Sequence, residues 1–552
     1  MSQLPSVFEQ LLKIRGLDQP ETVRAFLQPD YESLADPLLL PDMAKAVERI
    51  VTAKKKREKV VIYGDYDIDG LSATALLFEA LSAFGLEVTT FIPSRFDYGY
   101  GLSSEAIERL AQAGANVLVT VDCGSLSIDE VAHAKKLGVD VIITDHHTVG
   151  DILPDAVAVV NPKRADHSYP FRDFSGVGVA FGLVRALQTK LTGLAKGQEK
   201  WLLDLVALGT VCDIVSLTGE NRILASWGLT VMKQTRRPGL QALMAVAAIM
   251  PSDLTARSLG FGLGPRLNAS GRLDTAQVSL DLLTTKDNGE ALAKAEQLQA
   301  MNLSRRSEQQ KIVLQATEQA EKYKDNAVLV VSHADWSHGI IGIVAAKLME
   351  TYRKPVFVLQ ELGEESKGSA RSFGDFSLAK AIQSVKKLIV KGGGHDAAAG
   401  VTLPTKNIPA FRVALNDYYQ SLKLAPQAEL LRLEPDLTLD SFAGLDETLI
   451  EHIDQLEPFG HGNHEPRFGF DNLLVMNTRT MGDKNQHLKL TLQDNGGQTL
   501  TMLAFSAPAH FFVKAGQKIK MCCTLSINEW QGDRSVEGKL LDLELIKDNT
   551  VV

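Results

Sequence analysis

Between residues 59 and 160 of this 552-residue chain, short apolar runs alternate with segments of helical spacing. KVVIYG, LEVTTFI, ANVLVTV and VDVIITD are rich in Val, Ile and Thr, whose branched side chains favour extended backbone, and they read as strands. LSATALLFEALSAFG and SSEAIERLAQAG lie between them and repeat their apolar positions at helical intervals. Alternation of this kind predicts a parallel sheet with helices on both faces. From 175 to 250 the pattern is mostly helical, and 288–322 reads as a long polar helix with no Gly or Pro after its start. A second strand–helix pattern follows, with AVLVVS and PVFVLQ around IGIVAAKLMETY and a Gly-rich KGGGHDAAAG closing it. Beyond residue 426 come short strand-like runs with turn signals, FGFDNLLVMNT, HLKLTLQDNGG, QTLTMLAF and KIKMCCTL, which predict a small barrel or sandwich. The fold class is therefore α/β, with a parallel-sheet domain and a smaller α/β domain joined by a long helix, then a C-terminal β-barrel. The expected divisions are an N-terminal helical segment 1–50, the parallel-sheet domain 51–285, the connecting helix 286–324, the smaller domain 325–425 and the barrel 426–552.

Composition adds constraints. Hydrophobic residues make up 45% and charged residues 23%, enough for buried cores in several domains. No long uncharged apolar run of about 18 residues occurs, so no membrane span is expected, and the N-terminus lacks the basic and apolar regions of a signal peptide. The four cysteines (Cys123, Cys212, Cys522, Cys523) form no CxxC pair, which disfavours structural zinc and disulfides and predicts a reducing, cytoplasmic setting. The net charge of -9 disfavours nonspecific coating of nucleic acid. It does not exclude a local basic groove beside a carboxylate-rich site.

The candidate chemistry lies at strand ends. GDYDIDG places Asp65, Asp67 and Asp69 past the first strand, VDCG places Asp122 past another, and TDHH places Asp145, His146 and His147 past a third. Asp213 follows in the apolar run GTVCDIVSL. A lone acid after a strand is usually a solvated turn or helix cap. Four such segments in one lobe instead converge where open parallel sheets bind ligands, at the carboxyl ends of their strands. Carboxylates gathered there repel one another unless cations intervene, and oxygen with imidazole donors suits Mn2+ or Mg2+. A pair of such ions supports metal-dependent phosphoester hydrolysis. Further along, GPRLNASGR supplies Arg266, Asn268 and Arg272, KGSARSFG supplies Ser369, Arg371 and Ser372, and KGGGHDAAAG supplies Gly393, Gly394 and His395. Glycines let backbone N–H groups approach phosphate oxygens, and arginine adds bidentate bonds.

GDYDIDG, VDCG, TDHH and GTVCDIVSL resemble the four motifs of the DHH phosphoesterase superfamily, and their context resembles its RecJ family over most of the chain. The resemblance implies that Asp67, Asp69, Asp122, His146 and Asp213 hold two ions, with Asp65 close by and either Asp122 or Asp213 bridging. His147 then touches the scissile phosphate or orients a ligand. KGGGHD is similar to the marker of the DHHA1 substrate-binding domain, which implies that Arg266, Arg272, Arg371 and His395 grip the DNA backbone or a terminal phosphate. The strand-rich tail resembles the RecJ OB-fold, with Phe459, His461, His464, Arg467, Phe468 and Trp530 as candidate contacts for a single strand. Arg305 and Arg306 on the long helix are further candidates, whereas Lys54 to Lys59 read as a solvated face.

The implied activity is 5′ to 3′ hydrolysis of single-stranded DNA to mononucleotides in repair and recombination. The implied partners are a single-stranded-DNA-binding protein and a helicase, and the implied state is a monomer. The alternative is a DHH phosphodiesterase of short oligonucleotides or cyclic dinucleotides, while intact acids in all four motifs oppose a non-catalytic relative. Two departures stand out. The chain reads Trp336-Ser337-His338-Gly339 where many RecJ proteins have Trp-His-x-Gly, which leaves the role of His338 open, and Ala370 stands where Gly is frequent.

Overall fold

The computed structural model describes residues 5–94, 101–273, 275–424 and 434–546. In the first sheet β1 (Lys59–Gly64), β2 (Glu87–Phe91), β3 (Val117–Val121), β4 (Asp140–Thr144) and β5 (Ala158–Val160) are all parallel, in the order β2-β1-β3-β4-β5. β1, β3 and β4 are buried almost throughout, which is why their sequences run apolar without alternation. Val61, Tyr63, Leu118 and Ile143 pack on one face with Ile107 and Val131 from the helices Ser104–Gln112 and Ile128–Lys136. The helices Met43–Lys56, Ile68–Ala83 and Gly176–Leu187 also pack against the sheet. The strand order reverses between β1 and β3, which send successive strands to opposite sides, and the crevice beyond their carboxyl ends is where this topology receives ligands.

The second sheet contains β6 (Leu329–His333), β7 (Val356–Leu362), β8 (Glu365–Arg371), β9 (Lys391–Gly394) and β10 (Ala398–Pro404), in the order β6-β7-β8-β10-β9. Only β6 and β7 run parallel. The 34-residue helix Asn288–Glu321 sends Ile312, Ala316 and Ala320 into one face beside the helix His338–Tyr352. Leu378–Ser384 and Ile408–Ser421 cover the other.

The third sheet closes on itself. β12 (Phe468–Met481), β13 (His487–Gln493), β14 (Thr499–Ala504), β15 (Lys518–Trp530) and β16 (Asp533–Leu545) follow the order β12-β13-β14-β16-β15, and β12 pairs again with β15. β11 (Leu437–Leu439) adds outside the ring. This is the closed five-stranded barrel anticipated from the tail, an OB-type solution that leaves no long free edge. The helix Ser6–Ile14, from the other end of the chain, buries Phe8, Leu11 and Leu12 in the barrel's core cluster beside Phe442, Leu449 and Ile453.

The chain divides into two compact units. One comprises Met1–Gly264, Leu280–Leu292 and Leu433–Val552, and the other comprises Pro265–Ser279 and Ala293–Arg432. The division expected at 425/426 falls outside the described residues. Among those residues no helix is long and apolar enough to cross a membrane.

One buried cation joins the helices that carry the candidate site. Arg237 Nη1 lies 2.7 Å from Glu79 on the helix Ile68–Ala83, and Nε lies 3.4 Å from Asp204 on the helix Leu203–Cys212. Asp204 also accepts from Thr235 Oγ1 at 2.7 Å, and Arg237 donates to the Leu283 carbonyl at 3.1 Å. Removing one member strands a buried charge. Arg237→Ala is therefore expected to destabilise the protein by about 3–5 kcal/mol. Chemical denaturation checks this, and a loss below about 1 kcal/mol, the scale of an exposed pair, contradicts it.

Candidate metal centre

Asp65 follows β1 and is buried. Asp67 is the N-cap of the helix Ile68–Ala83, and its Oδ1 accepts from the backbone N–H groups of Asp69 (2.9 Å) and Gly70 (3.1 Å). That cap turns Asp69 inward. Asp69 Oδ2 accepts from Gly176 N at 2.5 Å and Oδ1 from Val177 N at 2.9 Å, both at the positive end of the helix Gly176–Leu187. A carboxylate has about four acceptor positions, so each oxygen keeps capacity for a cation.

Asp122 is 2% exposed and sits past β3 with a left-handed φ of 61°. Two helices come unusually close to these acids, one to Asp122 and one to Asp69. A Cβ at Gly176 would lie 2.7 Å from the Asp122 Cβ, and one at Gly209 would lie 2.6 Å from Asp69 Oδ1. Past β4, Asp145 Oδ1 accepts from the backbone of His146 (2.7 Å) and His147 (3.1 Å) and from His147 Nδ1 (2.8 Å), while Oδ2 accepts from Ser125 N (3.0 Å). Asp145 thus shapes the turn and fixes the His147 ring. Asp213 closes the set at the C-cap of the helix Leu203–Cys212.

The side chains meet. His146 Nε2 lies 3.0 Å from Asp122 Oδ1, 3.5 Å from Asp213 Oδ2 and 3.9 Å from Asp69 Oδ2. His147 Nδ1 lies 3.8 Å from Asp122 Oδ1. Three overlapping groups have ligand atoms within 4.8 Å of one another: Asp122 with His146 and His147, Asp69 with His146 and Asp213, and Asp65 with Asp67 and Asp122. Asp213 Oδ2 is buried without a hydrogen-bond partner, and Asp122 Oδ1 and His146 Nε2, though 3.0 Å apart, are buried without a hydrogen bond of proper geometry. Buried polar atoms are rarely left so, and this oxygen and imidazole donor set fits a hard divalent cation. Cys123 is buried and Cys212 Sγ turns away to the Leu259 carbonyl, so neither thiol joins the set.

Electrostatics point the same way. Burial and the charge of Asp67 raise the Asp69 pKa to about 7, and burial with the charges of Asp69 and Asp67 raises that of Asp213 to about 9. Burial, then the surrounding aspartates, push Asp122 well up. Burial and the neighbouring His147 lower His146 to about 3, which keeps it neutral and able to ligate. Burial also works against a charge on His147, but the bond to Asp145 and its charge outweigh it and raise the pKa.

The second unit holds the remaining candidates. Arg266, Asn268 and Arg272 lie on the helix Gly264–Leu273, but not on one face. Arg266 Nε donates to Gln299 at 2.7 Å, and the charge of Arg306 reaches both Arg266 and Arg305, so these three form a cation cluster with the long helix. Arg272 donates to the Gly339 carbonyl at 3.2 Å. KGSAR and KGGG are strands, in β8 and β9, and not loops. Register places Ser369, Gly400 and Gly393 in one row across β8, β10 and β9, with Arg371 beside Ala398 on the same face. A Cβ on Gly393 would meet nothing within 4 Å, so the row is open at that end, whereas a Cβ at Gly342 on the helix His338–Tyr352 would lie 3.5 Å from Ser369 Oγ and 3.6 Å from Arg371 Nη2. Gly394 has a φ of 146°, and His395 N bonds the Ala398 carbonyl at 2.9 Å to close the hairpin. Ala370 points to the opposite side, fully buried with Phe357, so its extra methyl fills core and leaves the row untouched. Ser337 takes the N-cap of the helix His338–Tyr352 and Trp336 is fully buried, its Nε1 donating to Gln315.

Aromatics in a small barrel are more often core than contacts, and the candidates divide accordingly. Phe468 is core, Phe459 packs partly against it, and Arg467 lies 3.6 Å from Asp436. The Trp530 side chain lies outside the described residues. Phe505 (60% exposed) and Phe512 (43%) are the open aromatics instead, and composition alone does not separate them from core. Sequence reasoning also missed Asn161, whose Nδ2 donates to Ser125 Oγ (2.8 Å) and the His147 carbonyl (2.9 Å), and Gly176. The SGVG start of a helix was the available signal for Gly176.

Residues 59–210 match the DHH family N-terminal domain, 325–421 the DHHA1 domain and 436–542 the RecJ OB domain. The single-stranded-DNA-specific exonuclease RecJ of Dickeya dadantii is 35% identical over 562 residues, covering 97% of this chain and 95% of that protein. The chain belongs to the RecJ family. Escherichia coli RecJ is 33% identical, with the same coverage of 97% and 95%. The crystal structure of Thermus thermophilus RecJ in complex with Mn2+ superposes with a TM-score of 0.84 at 28% identity, covering 99% of this chain and 76% of that one.

The raised carboxyl pKa values give a pH signature. From about pH 4 to pH 9 Asp69 and Asp213 bind more protons in the cation-free fold than in the unfolded chain, so these two groups reduce stability as pH rises. Divalent cations displace those protons, so thermal stabilisation by Mn2+ should grow across the same window. A melting-temperature increment independent of pH contradicts the cluster's role.

Proposed function

We propose that this chain is a divalent-cation-dependent nuclease that hydrolyses single-stranded DNA from the 5′ end to mononucleotides. The observation that carries the reading is the buried carboxylate and imidazole cluster at the sheet's switch point, in a chain of the RecJ family. Relatives named single-stranded-DNA-specific exonuclease, and RecJ structures holding Mn2+ or Mg2+, support the substrate and the ions.

In this reading Asp67, Asp69, Asp122, His146 and Asp213 hold two cations, with Asp65 adjoining. The pair would supply an activated water and offset charge on an in-line phosphoryl displacement. His147, oriented through Nδ1 by Asp145, presents Nε2 to a phosphate oxygen and donates a proton to it in a hydrogen bond. Its raised pKa favours the cationic form, which stabilises the developing phosphorane charge. The arginine cluster of Arg266, Arg305 and Arg306 and the open row of Ser369, Arg371 and Gly393 bind phosphates of the strand. The barrel binds bases through exposed aromatics such as Phe505 and Phe512.

The test is Mn2+-dependent digestion of 5′- and 3′-labelled single strands, with duplex and dinucleotide controls. Mononucleotide should appear first from the 5′ label, while duplex persists. Asp122→Ala should lower the rate at least about 100-fold, the upper end of what losing even an outer ligand partner costs. Equal degradation of blunt duplex, or a variant retaining several per cent of the rate, defeats the proposal.

A further inference from the structure

The barrel and the parallel-sheet domain belong to one compact unit, and one buried side chain holds much of their junction. Arg222, on the helix Gly219–Met232, is 3% exposed and faces no carboxylate within ion-pair distance among the described residues. Its guanidinium instead donates to four backbone carbonyls. Nη1 reaches Leu456 (2.8 Å), Nη2 reaches Gln455 (3.3 Å) and Glu457 (2.8 Å), and Nε reaches Phe26 (2.9 Å). The Phe26 ring lies 3.7 Å beneath the guanidinium carbon. Burying an arginine without an anion is costly unless its planar donors are met, and here the fork geometry meets acceptors from two distant segments at once. Burial lowers its pKa to about 10, which leaves it charged at neutral pH.

Around this side chain the contact continues. Arg15 Nη2 donates to the His464 carbonyl at 2.7 Å, and Leu217 N donates to the His461 carbonyl at 2.8 Å. Gly460 and Asn463 pair across a tight turn, and a Cβ on Gly462 would lie 2.2 Å from Ser216 Oγ, so the turn sits directly on Ser216 and Leu217. That segment lies just after Asp213. The turn that leads into β12 therefore contacts the segment following Asp213 in sequence and is fastened to it by a backbone bond.

We propose that Arg222, with the N-terminal segment that it clasps, is a specificity-determining positioning residue: it fixes the barrel on the catalytic domain so that a bound strand enters along a preset path. The proposal rests on the single-strand nuclease reading above. A fixed barrel gives long strands two sites at high effective concentration, whereas a swinging one loses that advantage without touching the chemistry. Arg222 acts through the barrel's placement and makes no contact with the reacting atoms.

The experiment compares the full chain with Arg222→Met, which keeps volume and removes all four bonds. Steady-state kinetics on a dinucleotide and on a long single strand, with Mn2+ present, are read beside small-angle scattering of the protein alone. The expected result is an unchanged dinucleotide rate, a KM for the long strand raised about tenfold or more, and a larger radius of gyration. Arg15→Ala, at the rim of the contact where folding is not at risk, should show the same split at smaller size and decides the matter if Arg222→Met does not fold. Equal losses on both substrates, or an unchanged long-strand KM in a folded variant, overturn the proposal. A wild-type chain silent on every substrate defeats the nuclease reading instead, and scattering then still decides whether Arg222 fixes the barrel.

Discussion

Carboxylates cannot remain ionised side by side in an apolar crevice, and most of the first unit is arranged around that constraint. Asp65, Asp69 and Asp122 are buried past neighbouring parallel strands, with Asp213 brought to them by a helix end. Part of their charge is answered by backbone dipoles, since the N-terminus of Gly176–Leu187 meets Asp69 directly. The rest is left as orphaned acceptors, a strained state that a cation relieves. The glycines at 176 and 209 are a consequence: the helices must approach the acids more closely than any Cβ allows.

Outside the cluster, positioning is done by satisfied groups. Asp145 spends its oxygens on the backbone and ring of the turn that carries the histidines, and Asn161 ties the same turn to Ser125. Arg237 joins the two helices that deliver Asp69 and Asp213. The second unit uses a different device. A row of small residues runs across three strands, with Arg371 half-buried at one end of it.

Much of this was legible in the sequence, for physical reasons that differ by element. The strands β1, β3 and β4 announced themselves because both faces are buried, and the acids after them because a parallel sheet sends its carboxyl ends to one side. The exposure of Phe505 was not legible, because it lies in the turn just past β14, where strand alternation no longer sets which side a ring faces. KGSAR and KGGG carried no strand signal because glycine favours turns, yet both are strands, and a Cβ at Gly368 would lie 2.1 Å from Leu359 Cδ2. Asn161 and Arg222 carried no local signal, since their partners are distant in sequence and are mostly backbone carbonyls or single hydroxyls.

The helix Ser6–Ile14 is an amphipathic segment whose apolar face is completed only by Phe442, Leu449 and Ile453. During synthesis it leaves the ribosome long before those partners exist, while the first parallel sheet between them has all its strands at hand. Its exposed face must therefore wait, shielded by chaperones or by transient association, until the C-terminal strands emerge. Late closure of this contact gives the protein an order of maturation in which the parallel-sheet domain precedes the barrel.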